Sequence, residues 1–119
     1  MSRPSKRPQS LTPPAFQILL ALVDQDRHGL GIVDEVERRT AGDVRLGPGT
    51  LYGTIKRLRE MGFIEETSDA PDPSDDDPRR RYYAITPSGR ETLAREARRM
   101  EVLVHVARSK AVLDSAEGK

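Results

Sequence analysis

The sequence predicts a mainly α chain of α+β type, closing on one long helix. Three observations carry this. Three segments with helical apolar spacing are bounded by Thr-Pro, Gly-Pro or Gly signals. Two short β-prone runs follow the third segment. A final stretch places Leu93, Ala97, Met100, Val104, Ala107 and Ala111 at steps of 4, 3, 4, 3 and 4.

At 119 residues the chain can bury one modest core. A third of it is charged and only 4% is aromatic, so aromatic packing is thin and a second copy would add buried surface. The net charge of +1 comes from 20 basic and 19 acidic residues, which makes the placement of charge more telling than its sum. The lack of cysteine excludes disulfides, thiolate metal sites and a Cys nucleophile, and suits a reducing cytoplasm. His28 and His105 lack metal-ligand spacing. Arg3, Lys6 and Arg7 before the apolar run Ala15 to Val23 loosely imitate a signal peptide, but Gln17 interrupts the run, two prolines open it and no A-x-A site follows. No run approaches the ~18 apolar residues of a membrane span.

Residues 1–10 read as a disordered basic arm, either solvated or lying along phosphates. The first helix opens on Thr12 as N-cap and Pro13, whose missing N–H costs nothing there. Phe16, Leu19, Leu20 and Val23 make one stripe, while Ala15, Ile18, Ala21 and Leu22 add apolar surface elsewhere. A helix this apolar must be covered on several faces, in part by a second subunit. A second helix runs from His28 or Gly29 to Thr40 with Ile32, Val33 and Val36 inward, and Gly42 stops it. Val44 to Leu46 fits a short strand. Pro48 then opens a third helix with a buried stripe of Leu51, Ile55 and Leu58, ended by Gly62. Strands are predicted at Phe63 to Thr67 and Arg81 to Ile85, joined by the acidic loop Ser68 to Pro78. Thr86-Pro87 opens the last helix, expected to reach Asp114 and so to extend roughly 40 Å. Its apolar steps form a coiled-coil-like seam, widened by Leu103 and Val106.

Three helices followed by a hairpin is the order of a winged helix-turn-helix. The expected organisation is an arm at 1–10, a winged helix-turn-helix domain at 11–86, a dimerisation helix at 87–114 and a tail at 115–119. Phe16 and Leu20 on the first helix, with Leu93, Ala97, Met100, Leu103, Val104 and Ala107 on the last, are the candidate dimerisation residues.

The third helix carries the candidate chemistry. Opposite its apolar stripe lies an arc of Gly49, Thr50, Gly53, Lys56 and Arg57, flanked by Tyr52, and Glu60 is expected to point elsewhere. Small residues permit close approach to a groove. Thr50 and Tyr52 can donate to phosphate or a base edge, Lys56 and Arg57 can reach phosphates, and Arg57 can instead grip guanine. The alternative is an ordinary solvated helix face. Arg79, Arg80 and Arg81 at the far stem of the hairpin suit phosphate contacts, or balance Asp75, Asp76 and Asp77 by ion pairing. The acidic run lacks EF-hand spacing, so no metal is expected, and Gly47, Gly49 and Gly53 lack the Gly-Lys-Ser/Thr ending of a phosphate loop. His28 at a helix start reads as a packing or capping residue. No nucleophile, base and orienter occur together, so neither an enzyme nor a cofactor is expected. A protein-interaction module that kept this fold and lost DNA is the other class. The acid-free arc with Lys56 and Arg57 argues for DNA instead.

The stretch Leu11 to Leu93 resembles the PadR family of bacterial and archaeal transcriptional regulators. The matching pieces are Leu11-Thr12-Pro13, Ile18 to Leu22, His28-Gly29 with Ile32, the dense run Leu46 to Leu58 continuing to Gly62-Phe63-Ile64, and Arg80 to Gly89. The resemblance implies a homodimer in which the C-terminal helix packs with the partner's N-terminal helix. It implies that the third helix, with Thr50, Tyr52 and Lys56 among its contacts, enters the major groove of a palindromic operator in double-stranded DNA. It also implies sequence-specific repression, often relieved by a small-molecule effector, and a single C-terminal helix marks the short subtype. Two features depart from the pattern: Leu30 stands where Tyr often follows His-Gly, and the acidic wing insertion is long. Some relatives stack drugs on tryptophan at the dimer interface. The chain has no Trp, which leaves an apolar pocket around Phe16, Met100 and Leu103 for an effector.

Overall fold

The computed structural model describes residues 11–67 and 81–113. The arm at 1–10, the insertion Ser68 to Pro78 with Arg79 and Arg80, and the tail lie outside the described residues. The element order is α1 (Pro13–Leu22), β1 (Arg27–His28), α2 (Gly29–Arg39), α3 (Pro48–Glu60), β2 (Ile64–Thr67), β3 (Tyr82–Ile85) and α4 (Pro87–Ser109).

Local signals place the helix starts. The Thr12 hydroxyl accepts from the Ala15 N–H at 3.2 Å, and the Thr86 hydroxyl accepts from the Gly89 N–H at 3.0 Å, each just ahead of a proline. Such caps contribute about 1 kcal/mol apiece by pairing amides that the first turn leaves open. His28 caps α2, its Nδ1 accepting from the Gly31 N–H at 3.0 Å, as the capping reading of this residue expected. Beyond α2, Ala41 and Gly42 take φ of 53° and 85°, and the Gly42 N–H closes onto the Glu37 carbonyl at 2.8 Å. Glycine carries this left-handed backbone without steric cost.

The sheet has a strand the sequence did not predict. Its order is β1-β3-β2, all antiparallel, with Arg27 opposite Tyr83, His28 opposite Tyr82, and Ile64 opposite Ile85. The third strand lies at Arg27–His28, whereas Val44 to Leu46 forms no strand. The His28 backbone is extended because it caps α2, and this aligns it with the open edge of β3. Residues 44–46 are instead tied down by a bond from the Val44 N–H to the Thr40 hydroxyl at 3.0 Å and by burial of Leu46. A two-residue strand is too short for alternation to reveal.

The core joins Ile18, Leu19 and Leu22 of α1 to Ile32 and Val36 of α2 and to Leu51, Ile55 and Leu58 of α3. Full burial of such side chains contributes about 2 kcal/mol each. Most of the cover over α1 comes from the same chain, since α2, α3, α4 and β3 all contact it. Two arginines also fix its C-terminal end: Arg27 Nε donates to the Ala21 carbonyl at 2.7 Å, and Arg90 Nη2 to the Val23 carbonyl at 2.6 Å.

The long helix α4 ends at Ser109, short of the expected Asp114. Ala111, expected on the seam, lies beyond the helix with φ of 63°, and the Val112 N–H bonds the Ala107 carbonyl at 2.9 Å. The seam therefore runs out at Ala107. Its first member, Leu93, is buried within its own chain, whereas Met100, Leu103 and Val104 are exposed.

Candidate nucleic-acid interface

Helix α3 is held to the core by one face and presents the other to solvent. Leu51, Thr54, Ile55 and Leu58 are buried. Gly49, Thr50, Lys56 and Arg57 are exposed, Gly53 is half-buried, and Tyr52 is 43% exposed. The surface so formed is broad, small at its N-terminal half and basic at its C-terminal half. Tyr52 lies over the start of α2. A Cβ on Gly29 would stand 2.6 Å from the phenol oxygen, so glycine at that position makes room for the ring.

One expectation fails here. Glu60 does not point away from the arc: its carboxylate lies 4.0 Å from Lys56 Nζ, one turn along the same face. Steps of 100° put residues 56 and 60 about 40° apart, so helical geometry alone requires it. The arc thus holds one acid at its C-terminal end. Lys56 and Glu60 have side chains 77% and 64% exposed, so the pair is weak and dissociates readily before a stronger anion. Arg57 makes no ion pair with a described carboxylate.

The wing places its charges differently from the sequence reading. Arg81 faces Glu66 on the neighbouring strand at 3.4 Å, and Arg59 reaches the same carboxylate at 3.6 Å. Glu66 therefore ties the end of α3 to the wing stem, a role the sequence left unassigned. Arg79 and Arg80 lie outside the described residues. Tyr83, buried under this stem, has its hydroxyl pKa raised by burial and then by nearby Glu66, which keeps it neutral.

The candidate dimerisation residues fall into two groups. Phe16, Leu20, Leu93 and Ala97 line one apolar groove between α1 and α4. Met100, Leu103, Val104 and Ala107 continue along α4 beyond it. Leu103 is 62% exposed, and Val102 beside it is 61% exposed. Within one chain the groove at Phe16 ends near Ala97 and does not include Met100 or Leu103. Among the described residues, no helix is long and apolar enough to cross a membrane.

Comparison with known proteins agrees with this geometry. Residues 18–95 match the transcriptional regulator PadR-like family. A transcriptional regulator of Mycobacterium tuberculosis is 34% identical over 88 residues, covering 74% of this chain and 76% of that protein. An uncharacterised 37.1 kDa protein in a transposon of Streptomyces fradiae is 37% identical over 83 residues, 70% of this chain but only 21% of its own length. The crystal structure of a PadR family transcription regulator from Clostridium difficile superposes with a TM-score of 0.69 at 21% identity, covering 84% of this chain and 99% of that one. At that identity the likeness shows the fold, which is the winged helix with a long C-terminal helix.

Proposed function

The chain belongs to the PadR-like family of transcriptional regulators, and from that membership we propose that it is a cytoplasmic repressor that binds a palindromic operator in double-stranded DNA as a homodimer, with release by a small-molecule effector. The observation that carries the reading is the exposed face of α3. Gly49, Thr50 and Gly53 leave the helix backbone accessible, and Lys56 and Arg57 stand a turn further on. An α-helix of this width fits the major groove, where phosphate contacts give affinity and base-edge contacts give sequence preference. Tyr52, resting over Gly29, offers a hydroxyl beside the same face. In the paired state Arg81 stiffens the wing stem. Its side chain is 56% exposed, so it can exchange Glu66 for a phosphate. Repression follows from an operator that overlaps a promoter, and homodimerisation from the apolar face of α4.

The test is binding to the DNA upstream of the protein's own gene, measured by fluorescence anisotropy over a range of salt. Joint replacement Lys56→Ala and Arg57→Ala is expected to weaken binding at least tenfold. It should also flatten the plot of log K against log salt by about two contacts' worth of slope. Glu60→Gln is expected to act in the opposite direction, because it frees Lys56 and removes an acid from the face. Unchanged affinity and slope in the double variant would remove α3 as the reader.

A further inference from the structure

A second feature of α3 starts on its inner side and reaches the edge of the proposed DNA face, where Arg57 and Glu60 stand at its rim. A cleft of about 280 Å³ opens between the N-terminal end of α1 and the C-terminal half of α3. Its apolar lining comes from Leu11, Ala15, Leu58, Met61 and Phe63. Thr54 also lines it, and is 2% exposed. The Thr54 hydroxyl makes no hydrogen bond with any described residue. The other threonine there, Thr12, is already engaged by the Ala15 N–H at 3.2 Å.

An unpartnered hydroxyl at this depth opposes stability, since buried polar groups are almost always paired. Valine has nearly the same shape and would remove that cost, whereas the threonine hydroxyl leaves one hydrogen bond open to a molecule in the cleft. We propose that this cleft is a binding site for a small uncharged molecule with an apolar body and one hydroxyl or carbonyl group, which pairs with Thr54. The size follows from the volume: a cavity of about 150 Å³ holds benzene, so this one holds roughly ten heavy atoms. The absence of charge follows from the rim, where Arg57 and Glu60 stand one turn apart with opposite signs. The two charges offset each other, so an ion gains little net attraction there, and burying its charge against the apolar lining is costly. The site differs from the groove at Phe16 and Leu93, and binding to it does not depend on whether α3 reads DNA.

The test uses the full-length, isotope-labelled protein without DNA, titrated with cyclohexanol and followed by amide resonances. Cyclohexanecarboxylate and cyclohexylammonium serve as charged counterparts of the same shape. Cyclohexanol is expected to shift the amides of Ala15, Thr54, Leu58 and Phe63 in a saturable manner, with both ions binding more weakly. Thr54→Val is expected to raise the Tm by a few degrees while weakening cyclohexanol roughly fivefold, the loss of one hydrogen bond. Thr54→Ser, which keeps the hydroxyl, is expected to retain binding. The proposal is overturned if cyclohexanol does not saturate the wild type, if Thr54→Val binds it equally well, or if either ion binds as tightly.

Discussion

A protein carrying Gly89→Ala is expected to melt about 10 °C below the wild type. Gly89 is the third residue of α4 and is buried against the turn between α3 and β2. A methyl group there would overlap the Phe63 carbonyl oxygen and stand 2.9 Å from Ile85 Cγ1. The Phe63 carbonyl cannot rotate aside, because it accepts the Thr86 N–H at 3.0 Å. The same junction holds two further bonds: the Thr86 hydroxyl donates to the Gly62 carbonyl at 2.6 Å and accepts from the Gly89 N–H. Moving α4 outward to admit the methyl strains all three. Two effects compete. Alanine gains up to about 1 kcal/mol over glycine inside a helix. Overlap with fixed backbone costs about 3 kcal/mol. The second wins, leaving a net loss of about 2 kcal/mol. Gly53→Ala is the internal control, since a Cβ at that exposed-side position of α3 meets nothing within 4 Å. It should raise the Tm by the propensity gain alone, while crowding the proposed DNA face and weakening operator binding. Thermal unfolding by circular dichroism checks both signs, and equal Tm values for Gly89→Ala and wild type would show that the α4 junction is not as tight as described.

Leu103→Asp is expected to sediment as a monomer at micromolar concentration, where the wild type is expected to sediment as the proposed dimer. The side chain is exposed within one chain, yet it belongs to a continuous apolar face with Met100, Val104, Val106 and Ala107. At 100° per residue, Val102, Val106, Leu103, Ala107, Met100 and Val104 span more than half of the helix circumference. A helix that apolar does not stand alone in water. The groove lined by Phe16, Leu20, Leu93 and Ala97 continues the same surface toward α1. A second copy covering this face would bury Leu103, and an aspartate there would enter the interface without a partner. Two such charges in a symmetric dimer cost several kcal/mol, so the dissociation constant should rise at least a hundredfold. Leu103→Met keeps the apolar contact and should keep the dimer. A wild type that sediments as a monomer at micromolar concentration would overturn the dimer itself.

Much of the architecture was legible because its causes are local. Thr12-Pro13, Pro48 and Thr86-Pro87 start helices through the geometry of a single turn, and the Leu51, Ile55 and Leu58 stripe needs only the helical period to be identified as buried. The basic face of α3 was legible for the same reason, and the helical period also requires Glu60 beside Lys56, against the expectation that it points elsewhere.

Other features were decided by what lies across space. Whether Arg27 and His28 form a strand depended on the open edge of β3, some 55 residues later in the chain. Leu93 and Leu103 occupy similar apolar positions in one helix, but α1 reaches only the first, so one is core and the other is surface. Arg81 looked available for phosphate until β2 brought Glu66 beside it. Thr54, on the flank of the Leu51, Ile55 and Leu58 stripe, is buried because α1 packs across it, and α1 offers its hydroxyl no hydrogen bond. The sequence by itself therefore determined the helices, the hairpin and the face that α3 exposes, because propensity, capping and periodicity act within a few residues. Partners, burial and the inner cleft were decided by the tertiary structure, because they depend on contacts between distant segments that no local pattern encodes.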